Sequence, residues 1–479
     1  MTHIGDIIRQ VEELSPEFIA ASDSIWDEPE LRWEEYKSVD KLTALAQQHG
    51  LEITRGVGGI PTAFTAEAGT GGPVIAFLGE YDALAGLSQS SGSAVPEPDD
   101  ANQTGNGQGC GHNLLGAGSL LAAVATANYL KENNLPGRVR FYGCPAEEAA
   151  AGKTYMVAGG AFEGIDAAIS WHPGTATKFR QHSTLAYTQA YFHFKGLAAH
   201  AGVSPHLGRS ALDAVELLNV GVNFLREHMP DAARIHYAIT DSGGHSPNVV
   251  QANASVYYIV RAPEGEQMRD LYARVLRIAQ GAALMTDTEL TVEFDGACSE
   301  ILHNDALELL QYDVVREVGP VPFDAEDQRR GAVIASSLEP REIQVQKEAV
   351  GMDPLSGKSL HDGLPAPSFT SPRRIVTAST DVGDVSWIAP TVQMYSATCA
   401  VGTPFHAWQT VAQGKLPAAH KGLIHAAKIM AGTALTLFLS PEALAQAQNE
   451  FTERTARTPY LCPIPEGTVA PPLRALANA

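Results

Sequence analysis

Pro73-Val-Ile-Ala-Phe-Leu-Gly79, followed at once by Glu80-Tyr-Asp82, is the stretch on which the reading of this chain turns. Its apolar residues run on without alternation and stop at a glycine, the signature of a short strand buried on both faces of a sheet. Three further segments share the pattern: Arg138-Val-Arg-Phe-Tyr-Gly143, Ile165-Asp-Ala-Ala-Ile-Ser-Trp171 and Val392-Gln-Met-Tyr-Ser-Ala-Thr-Cys-Ala-Val401. Helical patterns separate them, notably Leu114 to Leu130. Strand and helix in alternation predict an α/β fold, a mainly parallel sheet with helices on both faces.

Outward from that core, Ile7, Ile8, Val11 and Leu14 fall on one helical face, and a second amphipathic stretch runs from Ser38 to His49. Between about Leu185 and Asp295 the rhythm changes. Alternating strands at Ala190 to Lys195, Arg234 to Thr240, Val249 to Arg261 and Glu289 to Phe294 enclose helical patterns at Arg209 to Glu227 and Gln267 to Leu284. The order β-α-β-β-α-β is that of a ferredoxin-like split unit, inserted into the first domain. The expected division is therefore 1–186 with 298–479 as one domain and 187–297 as the insertion. Gly86 to Gly109 and Pro322 to Pro372, rich in Gly, Pro and polar residues, are expected to be loops.

The chain has 479 residues, 44% of them hydrophobic and 18% charged, the composition of an ordinary globular protein. With 33 Lys+Arg against 54 Asp+Glu the net charge is -21, which disfavours nucleic acid and anionic membrane surfaces as partners. The five cysteines are too sparse for a disulfide framework and point to a reducing compartment. No uninterrupted apolar segment opens the chain or is long enough to span a bilayer, so a cytoplasmic protein is expected.

Chemistry collects where the buried strands end. Glu80-Tyr-Asp82 follows the first, Cys144-Pro-Ala-Glu147-Glu148 the second, His172-Pro173 the third and Gly402-Thr-Pro-Phe-His406 the last. In open α/β sheets ligands bind beyond the C-terminal ends of the strands, so these residues are predicted to converge. Cys110-Gly-His112-Asn113 leads into the Leu114 helix and adds a thiol and an imidazole. Cys, His, Glu and His suit a borderline divalent ion such as Zn2+, with Mn2+ or Co2+ also acceptable. Glu147-Glu148 reads in two ways: a solvated helix N-terminus, or a ligand beside a general base. In the inserted domain, Asn248 and Arg261 are donors of the kind that clamp a carboxylate, and His200 can reach a substrate oxygen; each also fits a turn cap or a surface ion pair.

These motifs, in this order, resemble those of the co-catalytic metallopeptidase and amidohydrolase family that includes aminoacylases and auxin-conjugate hydrolases. The resemblance rests on Gly79-Glu-Tyr-Asp82-Ala-Leu, Gly109-Cys-Gly-His-Asn-Leu-Leu-Gly116, Pro145-Ala-Glu-Glu148, Trp171-His-Pro173, Gly196-Leu-Ala-Ala-His-Ala201 and Gly402-Thr-Pro-Phe-His406. It implies a catalytic domain with two divalent metal ions, Zn or Mn, and a lid domain that dimerises. By position, Cys110, His112, Glu148, His172 and His406 match metal ligands, Glu147 the general base and Asp82 the acid that orients a ligating histidine. His200 matches the lid histidine, and Asn248 and Arg261 match substrate-carboxylate donors. Asn113 departs from the Asp often found there, which is expected to remove a negative charge beside the ions. The activity implied is hydrolysis of an N-acyl or N-aroyl amino acid, p-aminobenzoyl-glutamate first. Indole-acetyl-aspartate, a β-alanyl-lysine-type dipeptide, or a non-catalytic role in a larger assembly are the alternatives. A homodimer through the lid is expected, or a hetero-oligomer with a related chain.

Overall fold

The computed structural model describes residues 2–179, 182–364, 366 and 373–470. Its strands, in chain order, are β1 (Glu52–Arg55), β2 (Phe64–Thr70), β3 (Val74–Glu80), β4 (Gly137–Cys144), β5 (Ala167–Gly174), β6 (Lys178–Phe179), β7 (Ala186–Lys195), β8 (Arg234–Asp241), β9 (Asn253–Ala262), β10 (Glu289–Cys298) and β11 (Thr391–Ala397). The described residues divide into two compact units. The first takes in the chain before residue 182, Leu302–Arg373 and Val385–Tyr460; the second takes in His182–Ile301, Arg374–Asp384 and the residues from Leu461 onward.

The first unit is built on a seven-stranded sheet in the order β1-β2-β4-β3-β5-β11-β6. Its centre is parallel: β3 lies between β4 and β5, and β11 pairs with β5. Every residue of β3 is buried, which is why its sequence shows no alternation. Registers run from Val74 opposite Arg138 to Glu80 opposite Cys144, and from Thr391 opposite Ala168 to Ala397 opposite Gly174. All four central strands therefore deliver their C-terminal ends to one edge. β1 and β2 add an antiparallel pair at one side and β6 a short antiparallel edge at the other.

The helix His112–Glu132, rich in Leu, Ala and Gly, is apolar nearly all round and buried over 18 of the 21 residues. It and Pro417–Leu439 are long and apolar enough to cross a membrane by composition, but both are packed inside the unit, 94% and 72% buried over the apolar window. The N-terminus of His112–Glu132 is held close to the sheet by two glycines. Gly111 has φ +76°, and a Cβ on it would stand 3.1 Å from the Pro173 ring; a Cβ on Gly116 would fall 2.5 Å from the Glu80 carbonyl oxygen.

The segment from Pro322 to Pro372, expected as loop, contains two helices, Ala325–Ala335 and Pro340–Ala349. Their start signals outweigh the polar composition: Asp324 and Asp327 form a capping box, and Pro340 occupies the first turn. Residues 365 and 367–372 of that expectation lie outside the described residues. β11 ends at Ala397, earlier than Val401, because the backbone leaves the sheet to donate from Val401 to the Ser359 carbonyl.

In the second unit β7 to β10 form a four-stranded sheet in the order β10-β7-β9-β8, antiparallel at every pair. β9 alternates buried with more exposed residues strictly, and its inner positions Ala254, Val256, Tyr258 and Val260 pack with Leu218 and Val222 of the helix Ala211–Leu225 and Leu271 and Val275 of the helix Gly265–Thr286. This is the ferredoxin-like order of elements. β9 begins at Asn253, later than Val249, since Val249 bridges His200 instead of joining the ladder.

His425, 2% exposed in Pro417–Leu439, makes a pH-dependent contribution to stability. Its Nε2 donates to the Gly319 carbonyl at 2.9 Å, and its Nδ1 lies 3.0 Å from Ser396 Oγ, whose hydroxyl donates to the Gly422 carbonyl at 2.9 Å. Burial pushes its pKa from 6.5 down to about 4. Between those values the unfolded chain binds a proton that the folded protein refuses, so stability falls as pH is lowered through that window. The advantage of wild type over His425→Gln in denaturant melts is expected to shrink by about 3 kcal/mol from pH 7 to pH 4. A difference independent of pH would refute this.

Candidate metal centre

At the C-terminal edge of the parallel strands the first unit gathers the residues expected there. Asp82, two residues past β3, is 1% exposed and uses both carboxylate oxygens: Oδ1 accepts from His112 Nδ1 at 2.8 Å and Oδ2 from the Glu148 backbone N–H at 2.8 Å. Because Nδ1 donates, the lone pair of His112 stays on Nε2. His172, near the end of β5, does the same: Nδ1 donates to the Pro173 carbonyl at 2.7 Å, and Nε2 faces Cys110 Sγ at 3.4 Å. His406 has φ +60°, its N–H donates to the Gly109 carbonyl, and its Nε2 stands 3.2 Å from Glu148 Oε1. The backbone bond ties the last loop to the residue before Cys110.

Glu147 and Glu148 open a one-turn helix, Glu147–Ala150, after Ala146 in the left-handed region at φ +55°. An alanine in that conformation is strained and must be held from outside. Glu35 does so: the Ala146 N–H donates to Glu35 Oε1 at 2.8 Å, and the Trp33 N–H donates to the same oxygen at 2.9 Å. Burial, and then the charge of Asp82, pushes the Glu35 carboxyl up to about 8.

Donor atoms of Cys110, His112 and His172 lie within 4.8 Å of one another, as do those of Cys110, Glu148 and His406, and those of Glu80, His112 and Glu147. Ligands about 2.0–2.3 Å from a common ion stand roughly 3–3.7 Å apart, and the pairs at 3.2 to 3.4 Å have that spacing. Among the described residues, His112 Nε2 and Glu80 Oε2 are buried without a hydrogen-bond partner. Buried polar atoms left open in one small volume fit a bound cation. Two of the donors are held in their protonated forms by their neighbours. Burial, and then the Glu148 carboxylate, pushes the Cys110 thiol well up; the His112 imidazole is lifted well above its usual value, against burial, by Cys110 and Asp82. Burial would raise Glu148, but the hydrogen bond from His406 and the charge of His112 hold it below the usual range. A divalent ion turns the first two around, because thiolate and neutral imidazole are the ligating forms.

Asn113 does not face this centre. Its Nδ2 donates to Ser22 Oγ at 3.0 Å and its backbone N–H to Gln108 Oε1 at 3.1 Å, so the missing carboxylate is not withdrawn from the donor set. The expected loss of charge beside the ions is corrected accordingly.

Sequence reasoning listed Glu80 among the strand-end residues expected to converge but gave it no role of its own, and it passed over Lys153. Lys153 Nζ, 0% exposed, donates to Glu80 Oε1 at 2.6 Å, while Oε2 stands 3.2 Å from His112 Nε2. Burial would raise the Glu80 carboxyl, but Lys153 and then His112 hold it at about 2. Glu80 was visible as a polar residue closing an apolar strand; nothing in the sequence pairs it with Lys153.

The second unit carries the remaining three. His200 is exposed, with Nδ1 accepting from the Gly202 and Val203 N–H groups at 3.1 and 3.2 Å, which leaves Nε2 outward. Asn248 neighbours it, its carbonyl accepting from the Ala201 N–H at 2.8 Å. Arg261 Nη1 donates to Ser379 Oγ at 2.8 Å, and its guanidinium lies 5.4 Å over the Tyr187 ring.

Comparison with known proteins accords with this geometry. The sequence profile of peptidase family M20/M25/M40 matches residues 76–455. The chain is 46% identical over 461 residues to the B subunit of the p-aminobenzoyl-glutamate hydrolase of Escherichia coli (strain K12), covering 95% of each chain. It is 27% identical to the Xaa-Arg dipeptidase of Mus musculus over 458 residues, 92% of this chain and 90% of that one. A solved Bacillus subtilis structure, described as a dinuclear metal binding peptidase from the M20 family, has the same fold at TM-score 0.54 and 17% identity, covering 89% of this chain and 99% of that one.

Proposed function

The chain belongs to peptidase family M20/M25/M40 and is a hydrolase of amide bonds, and from that premise we propose that it cleaves N-aroyl amino acids, p-aminobenzoyl-glutamate first. The observation that carries this reading is the clustering of the donor atoms of Cys110, His112, Glu148, His172 and His406 in groups within 4.8 Å, with Glu147 beside them. Together with the 46% identity to a hydrolase of that substrate, it supports the choice over a dipeptidase, whose relative stands at 27%.

Cys110 belongs to two of the donor groups, so Cys110, His112, His172, Glu148 and His406 are the residues that would hold the ions. Divalent ions bound there would supply Lewis acidity for the scissile carbonyl and for water. Glu147 presents a half-buried carboxylate whose oxygen is 3.9 Å from His112 Nε2, at the margin of the donor cluster where a base is needed. It takes the proton of the attacking water and passes it to the leaving amine. Asp82 keeps His112 in the ligating tautomer and fixes the backbone of Glu148. His200, with Nε2 turned outward, is the donor assigned to the developing oxyanion, and Asn248 and Arg261 are assigned to the substrate carboxylate.

Purified protein supplied with Mn2+ or Zn2+ and offered p-aminobenzoyl-glutamate, hippurate, indole-acetyl-aspartate and basic dipeptides is expected to turn over the first fastest. Failure on every amide would defeat the reading, including the enzymatic role of the chain when assayed by itself.

The second unit is assigned a dimerisation role between two copies. Edge strand β8 is unpaired on its outer side among the described residues and exposes Tyr237 and Ile239, and Leu217, Val220 and Phe224 form an exposed apolar stripe on Ala211–Leu225. An isologous contact of edge strand and helix would cover both. Light scattering is expected to give twice the chain mass for the wild type and the single chain mass for Phe224→Glu combined with Ile239→Lys. A monomeric wild type would remove the homodimer and favour a hetero-oligomer, in keeping with the word subunit in the name of the E. coli relative.

A further inference from the structure

The Glu80–Lys153 pair is buried completely, at 1% and 0% side-chain exposure, directly against His112. A buried ion pair is costly to assemble, and a pair serving only as a brace between the end of β3 and the helix Gly152–Ala158 would satisfy both carboxylate oxygens, with Lys153 or with backbone donors. Instead only Oε1 accepts from Lys153. Oε2 has no hydrogen-bond partner and points at His112 Nε2, itself without one, at 3.2 Å. With Nδ1 of His112 turned to Asp82, its Nε2 and Glu80 Oε2 face each other across 3.2 Å, the distance two donors keep when they share one metal ion.

Position is preset as well. The Glu80 backbone is pinned under the first turns of His112–Glu132, where Gly116 leaves no room for a Cβ. Glu147 offers an oxygen to the same volume, within 4.8 Å of the other two donors. Asn113, the residue whose identity suggested a lost charge, is turned away toward Ser22, so Glu80 is the carboxylate that the fold places there.

We propose that Glu80 supplies a carboxylate oxygen to the cation held at His112 Nε2, with Lys153 fixing its other oxygen and offsetting part of its charge. This rests on the metal-centre reading above and gives a ligand role to a motif residue that the sequence reading left without one. Glu80→Gln alone would take away the carboxylate charge facing buried Lys153, so the informative variant is Glu80→Gln/Lys153→Met, which keeps the volume and removes both charges.

The test loads metal-free wild type and double variant with Co2+ and reads stoichiometry, affinity and the visible ligand-field spectrum, with circular dichroism to establish that both are folded. The double variant is expected to bind one of its ions at least tenfold more weakly, on the order of what a lost metal partner costs, and to show altered band positions, which a purely structural pair would not move. Equal affinity and an identical spectrum would overturn the proposal while leaving the metal centre standing. A wild type that takes up no Co2+ would overturn the metal-centre reading and this proposal with it.

Discussion

Glu147→Gln is expected to lower kcat on p-aminobenzoyl-glutamate by about 10²- to 10⁴-fold with KM and bound metal unchanged. The substitution is nearly isosteric and leaves the backbone of Glu147–Ala150 as it is. The turn itself is held by groups that the change does not touch: Glu35 accepts from the Ala146 N–H, and Asp82 accepts from the Glu148 N–H. What is lost is the charge of a carboxylate at the margin of the donor cluster, and with it the acceptor for the proton of water. Elemental analysis alongside single-turnover kinetics separates this from metal loss. A variant with wild-type kcat would remove Glu147 as the base, and unchanged turnover in a variant still binding two ions would shift the role to Glu148 or to Glu80.

The second large effect is expected at Cys110. Its sulfur is the one atom shared by the Cys110–His112–His172 and Cys110–Glu148–His406 groups. Cys110→Ala should therefore weaken both ion positions, by at least the roughly 100-fold that even outer partners of a metal ligand can cost, and activity at limiting metal should disappear. Cys298→Ala, altering a buried thiol of the second unit, serves as the control and should keep its metal. Dialysis against a chelator followed by elemental analysis and readdition of Mn2+ or Zn2+ reads both outcomes. Two ions retained in Cys110→Ala would show that the thiol packs beside the centre without holding it.

How far the sequence reaches can be judged from particular elements. β3 and β5 were legible because a strand buried on both faces must be apolar at nearly every position, whereas β4, with half-buried Arg138 and Arg140, was marked by Val139, Phe141 and Tyr142 ahead of Gly143. β1 and β2 were not, since Glu52-Ile-Thr-Arg55 is a short edge with exposed side chains and its pairing carries no local mark. The helices Ala325–Ala335 and Pro340–Ala349 were missed although Asp324, Asp327 and Pro340 announced their starts; few apolar residues made the helical period faint. In the site, Cys110, His112, Glu148, His172 and His406 were named from their places after strands and before a helix. The parallel register is what turns such places into neighbours.

Local chemistry thus determined the α/β class, the inserted β-α-β-β-α-β unit, and the residue types at the strand ends, because burial period and turn residues act over a few positions at a time. Only the tertiary structure decided which tautomer each histidine keeps, that Asn113 looks away from the donor cluster, and that Glu80 meets Lys153 across 73 positions of chain. Those outcomes depend on distances of about 3 Å between groups remote in sequence, and no property of a single segment sets such a distance.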